Sequence, residues 1–491
     1  MLPYSMLFPV DKSAKTPVFL QISAAVTDNI RRGVLTPGTR LPGTRALATA
    51  LQLHRKTVVA AYEELLAQGW LETQLARGTF VSKKLPEAAP EALRVPSGPA
   101  AGVAQKPGFA FQKNTLLEFP VLKGVNTLAF NDGFPDLRLA PWDALSRAYR
   151  TVLRHGYRKN LFSYSDTFGE TALRAAMADY LRESRGLPIG VENVLLTRGS
   201  VMAMHLVAQS VLQAGEVVVV GEIGYATGNL VFRHAGARLV TVPVDERGLD
   251  VEALERLCRD MPVRMVYVTP HHHYPTTVSM PAERRLQLLR LARTHGFCIL
   301  EDDYDFDFHY DSNPVLPLAS ADEGRHVVYV GSLSKVFSPA LRVGYVVAPA
   351  EVIEGLANLR RIIDRQGDNL QEAALAVLFR EGDMRRHLKK AQKTYHRRRD
   401  LFCELLRSEV GHVVEFTKPG GGLAVWARFD RAFPLPELAK KARAIGLWIS
   451  DGVNYGTQLN AARLGFAAVN ETEIERGMGI LKRIVEQFSV P

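Results

Sequence analysis

The stretch VVYVGSLSKVFSPALRVGYVV, residues 327–347, indicates the fold of the larger part of this chain. It contains two apolar runs, Val327–Val330 and Val343–Val347, that are typical of buried strands. Lys335 lies between them, seven residues before Arg342. In open α/β sheets, ligands bind beyond the carboxyl ends of strands, so the residues just after such runs are candidates for chemistry.

The residues around Lys335 combine an amine, two hydroxyls and a guanidinium. Ser332, Ser334 and Arg342 suit a phosphate dianion, because they donate hydrogen bonds to its oxygens. The amine of Lys335 can bond covalently to an aldehyde. A lone lysine would normally be a solvated surface charge, so this interpretation depends on the side chains at the ends of the other strands.

Further apolar runs alternate with helical patterns from Asn126 onward. The runs are Val194–Thr197, Val217–Val220, Met265–Thr269 and Cys298–Leu300, and Pro281–Thr294 is one of the helical patterns. This alternation predicts an α/β fold whose mostly parallel sheet is covered by helices on both faces.

Two of these runs are followed by candidate ligand contacts. Gly199 and Ser200 come directly before the predicted helix Val201–Leu212, and free amides at a helix start can bind an anion. Tyr225 comes after Val217–Val220 and can stack on a flat ring. Taken singly, an ordinary helix cap and an ordinary packing residue are the favoured interpretations of these positions.

The run Glu301-Asp302-Asp303-Tyr304-Asp305 comes directly after Cys298–Leu300, and alone it supports two interpretations equally. One is a carboxylate that keeps a ring nitrogen protonated, and the other is a divalent-metal cluster. The triplet His271–His273 is a weaker metal candidate, because neighbouring side chains of an extended segment alternate in direction. We therefore predict no metal there. Together, the strand ends supply a phosphate cradle, a ring stack, an acid and a lysine, which fit pyridoxal 5′-phosphate (PLP).

Residues 1–85 are predicted to form a separate basic module. They contain 11 Lys and Arg against 5 Asp and Glu, a net charge of +6, whereas the whole chain carries +10. Helical patterns at Gln21–Arg32, Thr44–Leu51 and His54–Gln68 precede two short strands, an order that predicts a winged helix-turn-helix. The excess charge fits double-stranded DNA, although ordinary surface charge explains it about as well. The candidate DNA-contacting residues are Arg40, Arg45, Arg55, Lys56, Thr57 and Arg77.

Residues 86–125 are rich in proline and alanine and show no periodicity, which predicts a linker before the domain at 126–491. The chain is 47% hydrophobic and 23% charged, close to average globular composition. No apolar run is long enough to span a membrane. The three cysteines lack paired spacing, so we expect no disulfide framework and no zinc site. This use of cysteine predicts a cytoplasmic location.

The order of these motifs resembles the MocR/GabR-type regulators, a branch of the GntR superfamily that joins a winged helix-turn-helix to a fold-type I aminotransferase-like domain. The resemblance covers nearly the whole chain. The motifs that carry it are Pro37–Pro42, Arg55–Val58, Gly78–Val81, Glu301–Asp305, Ser332–Lys335, Leu341–Tyr345 and Arg463–Ala467.

The resemblance implies a role for each candidate residue. Lys335 would bind PLP covalently, Asp302 would face the pyridine nitrogen, Tyr304 would lie near the ring hydroxyl, and Tyr225 would stack on the ring. Arg463 matches the arginine that grips a substrate carboxylate in aminotransferases. The implied phosphate-binding residues are Gly199, Ser200, Ser332, Ser334 and Arg342. The chain departs from the usual pattern at Thr277, where glycine is usual, and at His273, where glutamine is common.

Three functions are compatible with these features. The first is a DNA-binding transcriptional regulator that senses PLP or an amino compound, the second an aminotransferase with an accessory module, and the third a DNA-binding protein whose large domain only dimerises. The winged helix favours the first over the second, and the retention of Lys335, Asp302 and Arg342 favours it over the third. Residual transamination stays compatible with this function, and the resemblance implies a homodimer.

The effector is left open between two classes. An amino acid would need Arg463 for its carboxylate and would displace Lys335 from the cofactor. Alternatively, Arg463 forms a structural ion pair and PLP itself is the effector.

Overall fold

A computed structural model describes residues 4–75, 77–86, 108–111, 128–311, 315–322, 326–455 and 459–488. The chain divides into two compact units, residues 1–113 and 114–491. Most of the predicted linker at 86–125 lies outside the described residues, so the domain boundaries at 85 and 126 stay predictions.

The smaller unit has the order of elements predicted for a winged helix-turn-helix. Apolar residues at helical spacing form its core: Ile22, Val26 and Ile30 are buried on one helix, and Val58 and Leu65 on another. Its elements are α1 (Tyr4–Leu7), α2 (Val18–Arg31), α3 (Thr44–Leu51), α4 (Arg55–Ala67), β1 (Leu71–Gln74) and β2 (Gly78–Val81).

The predicted helix from His54 to Gln68 is confirmed, and both of these residues act as its caps. The backbone N–H of Lys56 donates to His54 Nδ1 at 3.3 Å, which satisfies one of the free amides at the helix start. The Tyr62 hydroxyl donates to the Pro42 carbonyl at 2.9 Å and ties α4 to the segment before α3. The middle of α4 is thereby fixed relative to the segment that leads into α3.

The larger unit contains the remaining elements. Its helices are α5 (Trp142–His155), α6 (Thr171–Arg185), α7 (Ser200–Val211), α8 (Ala226–His234), α9 (Val251–Asp260), α10 (Ala282–His295), α11 (Leu318–Ala321), α12 (Ala350–Ile363), α13 (Asn369–Arg380), α14 (Asp383–Val410), α15 (Leu435–Ala444) and α16 (Glu471–Phe488). Its strands are β3 (Leu128–Phe130), β4 (Val194–Thr197), β5 (Val217–Gly221), β6 (Arg238–Val242), β7 (Val244–Asp245), β8 (Gly248–Leu249), β9 (Met265–Val268), β10 (Cys298–Asp303), β11 (Val327–Ser332), β12 (Gly344–Val347), β13 (Val414–Phe416), β14 (Ala424–Phe429), β15 (Leu447–Ile449) and β16 (Ala461–Gly465).

Seven of the described strands form one sheet in the order β4-β12-β11-β10-β9-β5-β6. Its neighbours are parallel except at β12, which runs antiparallel to both β11 and β4. The predicted mostly parallel α/β fold is therefore confirmed. The exception arises from the short connection between Ser332 and Gly344, because a parallel return needs a crossover of a dozen or more residues, usually a helix.

Both faces of this sheet are covered, which explains why its strands are apolar throughout. Val218 and Val220 of β5 pack in a cluster with α7 and α12. Val217 and Val219 point the other way and pack in a cluster with α9 and α10. Since both faces are occupied by the core, polar side chains can collect only near the strand ends.

The C-terminal part adds a three-stranded antiparallel sheet, β13-β14-β16, and a parallel pairing of β15 with β3. β16 carries Arg463, and the loop after β3 lies beside it, since the backbone N–H of Gly465 donates to the Asn131 carbonyl. None of the described helices combines the length and the apolar character needed to cross a membrane.

Candidate functional site

A cavity of about 800 Å³ lies at the carboxyl ends of the main sheet strands. Eight of the nine predicted cofactor-binding residues line it, and so does Arg463. The ninth, Gly199, packs against the Arg342 guanidinium. The eight are Ser200, Tyr225, Asp302, Tyr304, Ser332, Ser334, Lys335 and Arg342.

Lys335 comes after β11 and lines this cavity. Burial lowers the pKa of its amine to about 8, although the nearby carboxylate of Asp132 opposes the shift. Its Nζ lies 4.3 Å from the ring centroid of Phe134. A lysine with such a pKa is partly unprotonated near neutral pH, as a nucleophilic amine must be.

At the end of the cavity where the sequence predicts phosphate binding, Gly199 and Arg342 pack closely together. Arg342 Nη2 donates to the Arg198 carbonyl at 2.9 Å. Gly199 has φ +86°, and a Cβ there would lie 2.5 Å from Arg342 Nη2. The backbone conformation therefore favours glycine, and the absence of a side chain also leaves room for the Arg342 guanidinium. Beside them, Ser332 Oγ donates to Ser334 Oγ at 2.9 Å.

Asp302 is the buried acid of the site. Its Oδ2 accepts a hydrogen bond from the Tyr267 hydroxyl at 2.9 Å, while its Oδ1 has no hydrogen-bond partner among the described residues. Burial raises the pKa of Asp302 to about 7, although the bond from Tyr267 acts in the opposite direction. A protonated ring nitrogen would supply the missing donor.

The other members of the carboxylate run have separate structural partners. Glu301 accepts from the backbone N–H groups of Leu318 and Ala319, at 2.9 and 3.0 Å. Asp303 pairs with Arg185 at 3.6 Å. Asp305 bonds to His272 at 2.7 Å. Because the side chains of β10 alternate between the faces of the sheet, they do not converge on one point as a metal cluster would require.

The triplet His271–His273 also divides among different neighbours. His272 faces Asp305, and His273 Nδ1 bonds to Thr276 Oγ1 at 2.8 Å. No group of three metal-binding side chains occurs in the part of the chain that the structure describes. Thr277 has φ +64°, a left-handed conformation that explains why glycine is usual at this position.

Aromatic side chains form one wall of the cavity. Tyr225 packs edge-on against Tyr274 with ring centroids 5.4 Å apart. The Tyr304 hydroxyl donates to the His272 carbonyl at 2.8 Å. The structure thus brings Tyr225 and Tyr304 to the site, while their contacts with a ring stay predictions.

Arg463 is paired with a carboxylate that the sequence did not single out. Its Nε lies 3.4 Å from Asp132 Oδ1, and its Nη1 donates to the Pro275 carbonyl at 3.3 Å. Burial disfavours the charge on Arg463, but Tyr304 and Asp132 outweigh that cost and raise its pKa. Sequence reasoning missed Asp132, Tyr267 and Tyr274, and the one available signal was the glycine after Asp132, which suggests a tight loop.

The residues present fit PLP. The unpartnered Oδ1 of Asp302 matches a protonated ring nitrogen, and the hydroxyls and guanidinium near Gly199 match a phosphate. Lys335 lines the same cavity as both. These features sit on ends of different strands, so one rigid sheet holds them together.

Asp302→Asn should stabilise the ligand-free protein at alkaline pH. The folded-state pKa of Asp302, about 7, lies above the value near 4 of an unfolded chain. The folded state therefore binds more protons between these values, and above pH 7 the buried charge lowers stability. Removing it should raise the free energy of unfolding by roughly 1–4 kcal/mol at pH 8, with a gain that shrinks toward pH 5.

Chemical denaturation at pH 8, 6 and 5 measures this effect. Asp260→Asn is the matched control, because Asp260 is an exposed residue at the end of α9. A gain for Asp302→Asn of equal size at all three pH values would contradict the prediction.

The predicted DNA-contacting residues lie on the surface of the smaller unit, except for Thr57, which is half-buried on the first turn of α4. Arg55 Nε donates to Thr44 Oγ1 at 3.4 Å, which links the starts of α4 and α3. Arg40 lies beside Gly78 at the start of β2, and Arg77 is in the turn of the wing. No ion pair joins the five exposed cations to a carboxylate of the described residues. The exposed five are Arg40, Arg45, Arg55, Lys56 and Arg77.

Comparison with known proteins gave two family matches. The class I and II aminotransferase family matches residues 132–481, and the gntR family of bacterial regulatory proteins matches residues 19–81.

Individual relatives match most of this chain. The probable rhizopine catabolism regulatory protein MocR of Rhizobium meliloti is 29% identical over 96% of this chain and 94% of its own length. The pyridoxine biosynthesis transcriptional regulator PdxR of Corynebacterium glutamicum is 29% identical over 80% of this chain and 79% of its own length.

A solved structure resembles the larger part. The α-aminoadipate aminotransferase LysN of Thermus thermophilus, complexed with N-(5′-phosphopyridoxyl)-L-leucine, has a TM-score of 0.68 and 28% identity. The match covers 74% of this chain and 92% of the LysN chain.

Proposed function

Because this chain belongs to the class I and II aminotransferase family and, with a gntR-type domain before its aminotransferase domain, is a transcriptional regulator of the MocR type, we propose that it binds PLP in the cavity around Lys335. We further propose that PLP, or an amine bound with it, controls binding of residues 1–85 to an operator.

One observation supports the sensor proposal above the others: Lys335, Asp302 and Arg342 line a single cavity. A domain that served only for dimerisation would need neither a lysine and an arginine at this cavity nor the buried acid Asp302, whose unpartnered Oδ1 is costly to keep without a ligand. The gntR-type domain favours a regulator over an aminotransferase with an accessory module, since a metabolic enzyme needs no domain that binds double-stranded DNA.

Each residue would have a distinct part in holding the cofactor. PLP supplies an aldehyde that bonds to amines and a ring that withdraws electrons. Lys335 would provide the amine, Asp302 would hold the proton on the ring nitrogen, and Tyr225 and Tyr304 would confine the ring. The phosphate would be bound by Ser200, Ser332, Ser334 and Arg342, with Gly199 leaving room for the guanidinium.

The partner of the smaller unit would be double-stranded DNA, with the start of α4 in the major groove. Arg55, Lys56 and Thr57 would lie near bases or phosphates, Arg40 and Arg45 would bind the backbone, and Arg77 would enter the minor groove. We also propose a homodimer, as fold-type I sites generally require, and a cytoplasmic location, where an operator is accessible.

The experiment compares operator binding by the full chain without PLP, with PLP, and with PLP plus amines, using DNA from upstream of its own gene. We expect PLP or an amine to change the dissociation constant at least about fivefold, the lower range of allosteric coupling. Rapid turnover of an amino acid with an oxo acid, without specific DNA binding, would favour the aminotransferase instead.

A further inference from the structure

The guanidinium of Arg463 already has a carboxylate beside it. Asp132 Oδ1 lies 3.4 Å from Arg463 Nε, and both residues line the cavity that holds Lys335. The Arg463 side chain is only 1% exposed, while that of Asp132 is 31% exposed. A buried guanidinium needs a compensating charge, and Asp132 supplies it from within the chain.

Asp132 is held in place by its surroundings. Its Oδ2 accepts a hydrogen bond from the Tyr274 hydroxyl at 3.0 Å. The backbone N–H of Gly465 donates to the Asn131 carbonyl at 2.6 Å, which fastens this loop to the strand that carries Arg463. A ligand carboxylate approaching Arg463 would therefore meet a fixed like charge.

The Asp132–Arg463 ion pair leaves one hydrogen-bond acceptor and one hydrogen-bond donor unused. Asp132 Oδ1 and Arg463 Nε are both shielded from solvent, and neither has a hydrogen-bond partner among the described residues, because the two groups are close but poorly aligned. A carboxylate can only accept hydrogen bonds, whereas a carboxamide or a hydroxyl both donates and accepts. Only the latter groups can donate to Asp132 and accept from Arg463 at once.

Resting on the proposed function, we propose that Asp132 sets the ligand class of this cavity. The ligand is a primary amine that carries a neutral donor–acceptor group, such as a carboxamide or hydroxyl, where an α-amino acid carries its carboxylate. Asp132 is thus a specificity-determining residue that excludes ordinary α-amino acids.

The test uses L-alaninamide and L-alanine, which have nearly the same shape and differ in this charge. Calorimetry on the full chain loaded with PLP gives both dissociation constants, and thermal unfolding gives an independent readout. In the wild-type protein, L-alaninamide should bind at least tenfold more tightly. In Asp132→Asn, the ratio of the two constants should shift at least tenfold toward L-alanine, because the like charge is gone.

Comparing ratios between variants cancels the difference in basicity between the two amines. Asp260→Asn removes an exposed charge outside the cavity and should keep the wild-type ratio. Asp132→Glu retains the charge and should retain the preference for L-alaninamide, which serves as the second variant if Asp132→Asn does not fold.

A wild-type preference for L-alanine, or a ratio within twofold of wild type in folded Asp132→Asn, would overturn the inference. Loss of the preference in Asp132→Glu, or binding of neither amine, would overturn it as well. Absence of PLP binding would overturn the proposed function together with this inference. PLP binding with an unchanged ratio would overturn this inference alone.

Discussion

Lys335→Ala should abolish covalent attachment of PLP and with it the yellow colour expected of the loaded protein. Lys335 is the one lysine among the described residues that line the cavity, and burial lowers its pKa to about 8. No other amine there can replace it. Borohydride reduction followed by peptide mapping should place the label on the Lys335 peptide of the wild-type protein and on no peptide of the variant.

Lys389→Ala is the matched control, because Lys389 is exposed on α14 and does not line the cavity. After borohydride reduction, the Lys389→Ala variant should carry the PLP label on Lys335 to the same extent as the wild-type protein. Lys335→Ala should still unfold cooperatively, since the substitution removes a desolvated amine from a cavity wall. A borohydride label on another lysine, or an unlabelled wild-type protein after incubation with PLP, would refute the assignment.

Arg55→Ala should weaken operator binding by about 5- to 150-fold, which corresponds to about 1–3 kcal/mol for the removal of one base-reading side chain. Arg55 is the first residue of α4 and is exposed, and its one side-chain hydrogen bond to a described residue is a long one, to Thr44 at 3.4 Å. Its guanidinium is therefore free to reach a base or a phosphate. Fluorescence anisotropy with a labelled operator at several salt concentrations measures the effect.

The salt dependence separates the two kinds of DNA contact. If Arg55 binds a phosphate, its replacement by alanine should reduce the salt slope by about one, whereas replacing a base-reading Arg55 should relax sequence preference at one position. Arg32→Ala is the control for the change in net charge, because Arg32 lies beyond the end of α2 and pairs with Asp28 at 3.0 Å. Equal weakening of operator binding by the two variants would show that Arg55 acts only through net charge.

Much of this protein could be predicted from local patterns. Apolar runs such as Val194–Thr197 become strands because burial on both faces demands uninterrupted apolar residues, and that requirement is visible in the sequence. The helix from His54 to Gln68 could be bounded for a similar reason, since its apolar spacing lies within a few turns. The candidate site residues could be selected because they come directly after strands.

Only the tertiary structure decided how those residues are divided among partners. The carboxylates of β10 look alike in sequence, yet Asp302 alone among Glu301, Asp302 and Asp303 lines the cavity, because alternate side chains face opposite sides of a strand. The pairing of Asp132 with Arg463 joins the loop after β3 to β16, far apart along the chain. Local periodicity carries no information about such contacts, because they depend on how β3, β14, β15 and β16 pack together. That packing sets the charges that face a ligand in the cavity.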